Sequence, residues 1–260
     1  MQVSFLTRFD TWMLILILLT LMIISIFVGF IAGKKLHTES KADSTILGSL
    51  ITLLGLILAF TFSMSLNYYN MRREVIVEEA NDIGTAILRA DLYREADRNL
   101  FRADFKKYVD ARIDFFTAGS DGKKIIAAQK LSSAIQQQLW ARASQLSKDS
   151  GSTTVASMQM IPALNSMIDI TTTRIYGNIV HLPDAIIYLL FLLSCASTFF
   201  IGYMFGGKEK FDWLMAVVFC LFTSLVVFVI FDLDRPRRGL ITLDQMNNAI
   251  VELKQMFPEK

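Results

Sequence analysis

The chain has 260 residues, of which 53% are hydrophobic and 19% are charged, and its formal net charge is +2. Soluble domains are typically about 45–50% apolar and about 25% charged, so the composition argues against an ordinary soluble protein. The nearly balanced charge argues against a nucleic-acid partner. Two cysteines and two histidines are too few for a disulfide scaffold or a structural zinc site.

Four long stretches of the sequence contain no Asp, Glu, Lys, Arg or His. They cover residues 11–33, 46–68, 185–206 and 213–231. At about 1.5 Å per residue, a helix over each stretch would cross a hydrocarbon core of roughly 30 Å. The first stretch is longer than the usual secretory signal core of about 7–15 residues, so we predict that it is a retained span.

The four predicted spans divide the chain into a first transmembrane hairpin (1–70), a cytoplasmic helical domain (71–184), a second transmembrane hairpin (185–231) and a cytoplasmic tail (232–260). An even number of spans puts both termini and the helical domain on the same side. Lysines and arginines are slightly more numerous on that side, which favours the cytoplasm. We therefore expect a multi-pass protein of the cell inner membrane with both termini cytoplasmic.

The region between the second and third spans is predicted to be helical throughout. Its apolar residues recur at helical spacing in three runs, over residues 100–116, 125–146 and 155–175. A turn at residues 119–122 separates the first two runs, and Pro162 lies in the third. No stretch alternates as a strand would. The predicted fold is therefore all-α, with a helical bundle continuous with both the second and the third spans.

No catalytic or metal-binding pattern is recognisable, and we predict neither enzyme activity nor a cofactor. The acidic residues Glu74, Glu78 and Glu79 neighbour Arg72 and Arg73, and salt bridges explain them better than a bound cation. The predicted spans contain no charged residue. Proton- or sodium-coupled transport usually needs such a group, so passive conduction or no conduction remains.

The second span combines small, aromatic and hydroxyl side chains. Leu56, Phe60 and Met64 stand four residues apart and share one face of the helix. Repeated around a ring of subunits, this stripe would form an apolar constriction, which makes these three residues candidates for lining a pore. The alternative is ordinary packing of one helix against its neighbours, with hydroxyl groups bonding between helices.

Three blocks of the sequence resemble a family of bacterial membrane proteins described as bestrophin-like. The first runs from Gly55 to Ala90 and includes a Gly-Leu-x-Leu-Ala-Phe-Thr-Phe-Ser helix, a Tyr-x-x-Arg-Arg exit from Tyr69 to Arg73, and Glu-Glu-Ala-Asn-x-Ile-Gly-Thr-Ala. The matching residues of the second are Asn165, Met167, Ile168, Asp169, Arg174, His181, Leu182 and Pro183. Those of the third are Asp232, Asp234, Arg235, Pro236, Arg238 and Gly239.

Bestrophins are pentameric anion or cation channels whose second transmembrane helix lines a hydrophobic neck and continues into a cytosolic helical domain. The resemblance therefore implies a homo-oligomer in the lipid bilayer, a pentamer if it is truly bestrophin-like. Two departures stand out. Glu74 and Val75 replace the tryptophan pair that follows the arginine in bestrophins, and the acidic calcium clasp of the animal channels has no counterpart.

The polar residues of these blocks suggest two further features. Asn165 and Asp169 lie four residues apart on one helical face, and with Arg174, Glu78 and Asn81 they could form a buried polar network that fixes helix register. The alternative is that these polar residues line an ion pathway. The basic residues expected to meet anionic headgroups at the membrane surface are Arg72, Arg73, Arg235, Arg237 and Arg238.

Two functions follow from these observations. The first is a passive channel for small ions, with its pore lined by the second span. The second is a membrane-anchored sensor or scaffold that does not conduct and whose cytoplasmic bundle binds a protein partner.

Overall fold

A computed structural model describes residues 10–36, 41–148, 152–206, 213–235 and 237–257. These residues form eight α-helices and one short 3₁₀ helix, and no strand occurs among them, so the predicted all-α class is confirmed. Pro236, part of the third bestrophin-like block, lies outside the described residues. In chain order the helices are α1 (Thr11–Leu36), α2 (Lys41–Ala90), α3 (Glu95–Thr117), α4 (Gly122–Leu146), α5 (Ser152–Gly177), α6 (Asp184–Gly206), α7 (Trp213–Asp234) and α8 (Asp244–Glu252), followed by the 3₁₀ helix Leu253–Met256.

Four of the described helices, α1, α2, α6 and α7, are long and apolar enough to cross a bilayer. They contain the four charge-free stretches, so the four predicted spans are confirmed as candidate membrane-spanning helices. Helix α2 has 50 residues, far more than a bilayer of roughly 30 Å requires. Its apolar part ends near Asn70, and charged residues recur from Arg72 onwards.

The chain divides into two compact units. The transmembrane unit comprises the described parts of Met1–Tyr69 and His181–Arg235, and the helical unit those of Asn70–Val180 and Pro236–Lys260. Helix α2 contributes its apolar first part to the transmembrane unit and its charged second part to the helical unit. Helix α8 belongs to the helical unit with α3, α4 and α5.

In the transmembrane unit, α1 and α6 pack with their backbones in close contact. The glycines at this contact are Gly29, Gly33, Gly202 and Gly206. A Cβ atom at Gly29 would overlap the carbonyl of Phe199, and one at Gly202 would overlap the carbonyl of Ile26. Each helix thus contributes two glycines four residues apart, the small-residue spacing that lets membrane helices approach closely.

The helical unit buries apolar side chains from α2, α3, α4, α5 and α8 in one core. Aromatic residues of α3 are prominent in it, since Phe101, Phe105 and Tyr108 have no exposed surface. Asp121 caps α4 by accepting hydrogen bonds from the backbone N–H groups of Lys123 at 3.0 Å and Lys124 at 3.2 Å. This core holds together the helices that carry the buried charges described below.

The bundle continues into only one of the two spans named in the sequence prediction. Helix α2 runs without a break from Lys41 to Ala90, which confirms continuity with the second span. Helix α5, however, ends at Gly177, and α6 begins at Asp184, so continuity with the third span is wrong. Pro183 explains the break, because proline has no backbone N–H and disfavours a helical conformation in the residue before it.

Candidate functional site

Three charged side chains from three helices meet inside the helical unit. Arg112 of α3 donates from Nε to Glu79 Oε1 of α2 at 2.5 Å, and Arg174 of α5 donates from Nη1 to Glu79 Oε2. Arg174 also donates from Nη2 to Asn247 Oδ1 of α8 at 2.5 Å. Glu79 and Arg112 are completely buried, and Arg174 is nearly so. One carboxylate thus joins α2, α3 and α5.

A third arginine is placed by Phe115 of α3. The Cζ atoms of Arg112 and Arg237 each lie 4.5 Å from the centre of the Phe115 ring, and that of Arg174 lies 5.6 Å away. Arg237 donates from Nη1 to the carbonyl oxygens of Phe115 at 3.1 Å and Gly119 at 3.0 Å. Cations over an aromatic face are attracted by its quadrupole. We call Glu79, Arg112, Arg174 and Arg237 the arginine cluster.

The arginine cluster contains three cations and one anion. Burial alone raises the pKa of Glu79, but attraction to Arg112 and Arg174 outweighs burial and holds that pKa below its ordinary value. Burial, together with repulsion by Arg174 and Arg112, lowers the pKa of Arg237 to about 10. Among the described residues, Arg112 Nη1 and Nη2 have no hydrogen-bond partner. The arginine cluster therefore carries an excess of positive charge.

Arg72 holds the end of α5. Its buried guanidinium donates from Nε to the carbonyl of Gly177 at 3.0 Å and from Nη2 to the carbonyl of Val180. The last carbonyls of a helix have no partner within the helix, and a cation there also interacts favourably with the negative end of the helix dipole. Arg72, predicted at the membrane surface, is thus engaged with backbone of its own unit.

A cavity of about 610 Å³ opens beside the arginine cluster within the helical unit. The charged and amide side chains on its wall are Arg72, Arg174, Asn178, Arg237, Asp244, Asn247 and Asn248. Its apolar wall includes Met71, Val75, Ile76, Phe116 and Leu243. The cavity is large enough for a small organic molecule, whose sites usually measure about 300–1,000 Å³.

The candidate pore residues lie on the least covered part of the transmembrane unit. Leu56 is 51% exposed and Phe60 is 65% exposed, whereas Met64 is half-buried and packs against the core of the unit. Leu54 and Thr61, on the other side of α2, are buried. The stripe therefore runs from the centre of an open face at Leu56 to its edge at Met64. Pore lining by these residues stays a prediction.

Only one of the five candidate network residues is buried. Arg174 belongs to the arginine cluster, where its acidic partner is Glu79 and not Glu78. Asn165 donates to Asp169 at 2.9 Å, and this pair lies on the exposed side of α5. Glu78 and Asn81 are exposed and line a second depression of about 510 Å³ together with Arg73 and Glu74. No group of three His, Cys, Asp or Glu side chains able to hold a metal ion occurs in the described residues.

The other basic candidates make contacts of different kinds. Arg235 is buried, with its Cζ 5.8 Å from the ring centre of Phe231. Arg238 is exposed and donates from Nε to Ser120 Oγ at 3.1 Å. Arg73 is also exposed. A position at the membrane surface for the five arginines stays a prediction.

The second and third bestrophin-like blocks meet in the transmembrane unit. The backbone N–H of Leu182 donates to Asp234 Oδ1 at 3.1 Å. His181 Nδ1 lies 3.0 Å from the carbonyl oxygen of Asp234 and 3.3 Å from Oδ2. Asp234 at the end of α7 thus holds the segment that leads into α6.

Sequence reasoning named Glu79 as salt-bridged but did not place it in a buried cluster, and it missed Arg112 and the place of Arg237. For Glu79 and Arg112 a signal was present in the helical period. Glu79 lies three residues after the buried Ile76 and four before the buried Ile83, so it shares their face. Arg112 likewise lies four residues after the buried Tyr108 and three before the buried Phe115. Arg237 follows the end of α7 outside any helix, so no periodicity places it.

These features define an all-α, multi-pass membrane protein with a helical unit organised around buried charges. The chain belongs to the bestrophin-like family, since the family model named Bestrophin-like domain matches residues 14–245. Comparisons with curated proteins and with solved structures gave no match.

Proposed function

We propose that the protein is a homo-oligomeric, passive ion channel whose pore is lined by α2 from each subunit. It would lie in the cell inner membrane with its termini and its helical unit in the cytoplasm. Family membership supports the comparison with bestrophins, and it favours a ring of five subunits. Leu56 and Phe60 would form the narrow, apolar part of the pore.

The observation that carries this proposal is the open face of α2. Only 11% of its most apolar 18-residue segment is buried, against 39% of the corresponding segments of α6 and α7. Exposed apolar side chains alone would suit lipid. The same face, however, also exposes Thr52, Ser63 and Asn67.

The amide of Asn67 on this face needs a hydrogen-bond partner, which acyl chains cannot supply. Leaving an amide in hydrocarbon without a hydrogen bond costs several kcal/mol, on the order of 4–8 on a cyclohexane scale. A face that alternates Leu56 and Phe60 with Ser63 and Asn67 suits neighbouring subunits or water better than acyl chains. In a ring, the same face could meet a neighbouring subunit on one side and a narrow aqueous path on the other.

The charge distribution supports passive conduction over coupled transport. Within the described spans, the acidic side chains Asp184, Asp232 and Asp234 stand at helix ends, and the charge-free stretches contain no Asp, Glu, Lys, Arg or His. Coupled transport relies on ionisable residues inside the membrane. Ions would therefore move down their own gradients.

Counting subunits tests the assembly on which this proposal depends. We would measure the mass of the purified full-length protein, in detergent and in nanodiscs, by native mass spectrometry. A ring of five subunits is the expected result. A monomer or dimer in both environments would contradict a shared pore and would favour the sensor or scaffold function.

A further inference from the structure

We infer that the cavity of the helical unit is a binding site for a small organic anion, with a phosphate or carboxylate head and an apolar body. The head would lie against Arg174 and Arg237, and the body along the wall formed by Val75, Ile76 and Leu243. This inference concerns the helical unit alone and does not depend on conduction.

The first argument is an imbalance of buried charge. Arg112, Arg174 and Arg237 surround Phe115, and Glu79 is the one carboxylate hydrogen-bonded to them among the described residues. A buried charge without a counterion costs several kcal/mol. Arg174 and Arg237 both reach the cavity wall, so a bound anion can neutralise the excess there.

The second argument is a shortage of acceptors and negative charge in the arginine cluster. Arg112 is completely buried and does not itself line the cavity, and within the part of the chain that the structure describes its Nη1 and Nη2 lack acceptors. The pKa of Arg237 falls to about 10 through burial and through repulsion by Arg174 and Arg112. Both observations indicate that the region is short of negative charge. A phosphate or carboxylate supplies that charge and accepts hydrogen bonds from guanidinium groups in a bidentate manner.

The third argument is the amphipathic character of the cavity wall. Asn247 and Asn248 in the middle of α8 place amide groups beside the arginines, while Val75, Ile76 and Leu243 present buried apolar surface. Asp244, which is exposed, is the acidic side chain of the wall and opposes an anion. The wall arginines, which include Arg72, outnumber it, so the site remains selective for negative charge.

Phenyl phosphate is a suitable probe because it combines a phosphate head with an apolar ring. Binding to the full-length protein in phosphatidylcholine nanodiscs would be measured by isothermal titration calorimetry. We expect saturable binding, about tenfold tighter than that of inorganic phosphate, and no binding of phenol. No saturable binding of phenyl phosphate up to about 10 mM would overturn the inference.

Variants locate the bound head. Arg237→Gln should weaken phenyl phosphate binding by about tenfold or more, because a charge-assisted hydrogen bond is lost. Arg238→Gln, one residue further along and outside the cavity wall, should leave binding unchanged. Asn248→Asp adds a negative charge at an exposed wall position without removing a buried contact, and it should also weaken binding. Equal affinity in Asn248→Asp and the wild type would overturn the proposed location.

Phosphatidylglycerol nanodiscs distinguish a free anion from a lipid headgroup as the natural source of the head. Unchanged phenyl phosphate binding in these discs supports a water-soluble ligand. Weaker binding there than in phosphatidylcholine, restored when phosphatidylglycerol is removed, supports occupation of the same site by the anionic lipid.

Discussion

Arg112 and Glu79 form an ion pair with a 2.5 Å contact between Nε and Oε1, and neither side chain has any exposed surface. Ion pairs at the surface are worth little, whereas a buried charge that loses its partner is costly. Because Glu79 serves both Arg112 and Arg174, its carboxylate is the point at which α2, α3 and α5 depend on one another.

Replacing that carboxylate tests its structural role. Glu79→Gln should destabilise the helical unit by about 3–5 kcal/mol, because two buried guanidiniums lose their counterion. The matched control is Glu78→Gln, an exposed neighbour on the same helix, for which we expect a change within about 0.5 kcal/mol. Hydrogen exchange of α3 and α5 amides in the full-length protein measures both effects. Equal protection in the two variants would contradict this role.

Acid should weaken the helical unit through the same residue. The pKa of Glu79 in the folded protein lies below its ordinary value, so its contribution is complete above that ordinary value and is lost as the pH falls through the folded pKa. The melting temperature of the wild type should therefore approach that of Glu79→Gln as the pH falls below 4.5, the ordinary pKa of a glutamate. Thermal unfolding at several pH values would show this convergence. If the difference in melting temperature between the wild type and Glu79→Gln did not change with pH, protonation of Glu79 would be excluded as the cause of the loss of stability in acid.

The glycines between α1 and α6 make a separate prediction for the transmembrane unit. Gly202→Val would drive a side chain into the backbone of α1 at Ile26, and we expect a loss of at least about 1–3 kcal/mol. Gly48→Val is the control, because no atom lies within 4 Å of the position that its Cβ would occupy. Thermal unfolding in detergent compares the two. A similar melting temperature for both variants would contradict close packing through Gly202.

The spans were predictable from sequence because the lipid solvent imposes a simple rule. Charged residues are costly in hydrocarbon, so runs without charge, such as 11–33, directly mark membrane helices. The helices of the helical unit were predictable from their apolar period, for instance in α3 through Phe105 and Tyr108. The break before α6 could also have been inferred from Pro183.

The arginine cluster was harder to predict, because it depends on tertiary partners. To identify Glu79 and not Glu78 as the buried acid of the cluster, one has to know which face of α2 is buried. The partners Arg112 and Arg174 are 33 and 95 residues away in sequence, and only packing of three helices brings them together. The close contact of α1 and α6 had a visible signal in the paired glycines of each helix. The local sequence, however, does not identify which helix packs against those glycines.

Single-channel recording of the reconstituted full-length protein in planar bilayers tests passive conduction through α2 most directly. We predict current in the wild type, and a conductance or open probability increased about twofold or more by Phe60→Ala, which removes the widest exposed side chain of the proposed constriction. Phe62→Ala, two residues further on and at the opposite edge of the exposed face, should behave as the wild type. Absence of current at every pH and calcium concentration tried, or current unaltered when Leu56, Phe60 and Met64 are all replaced by alanine, would contradict the account.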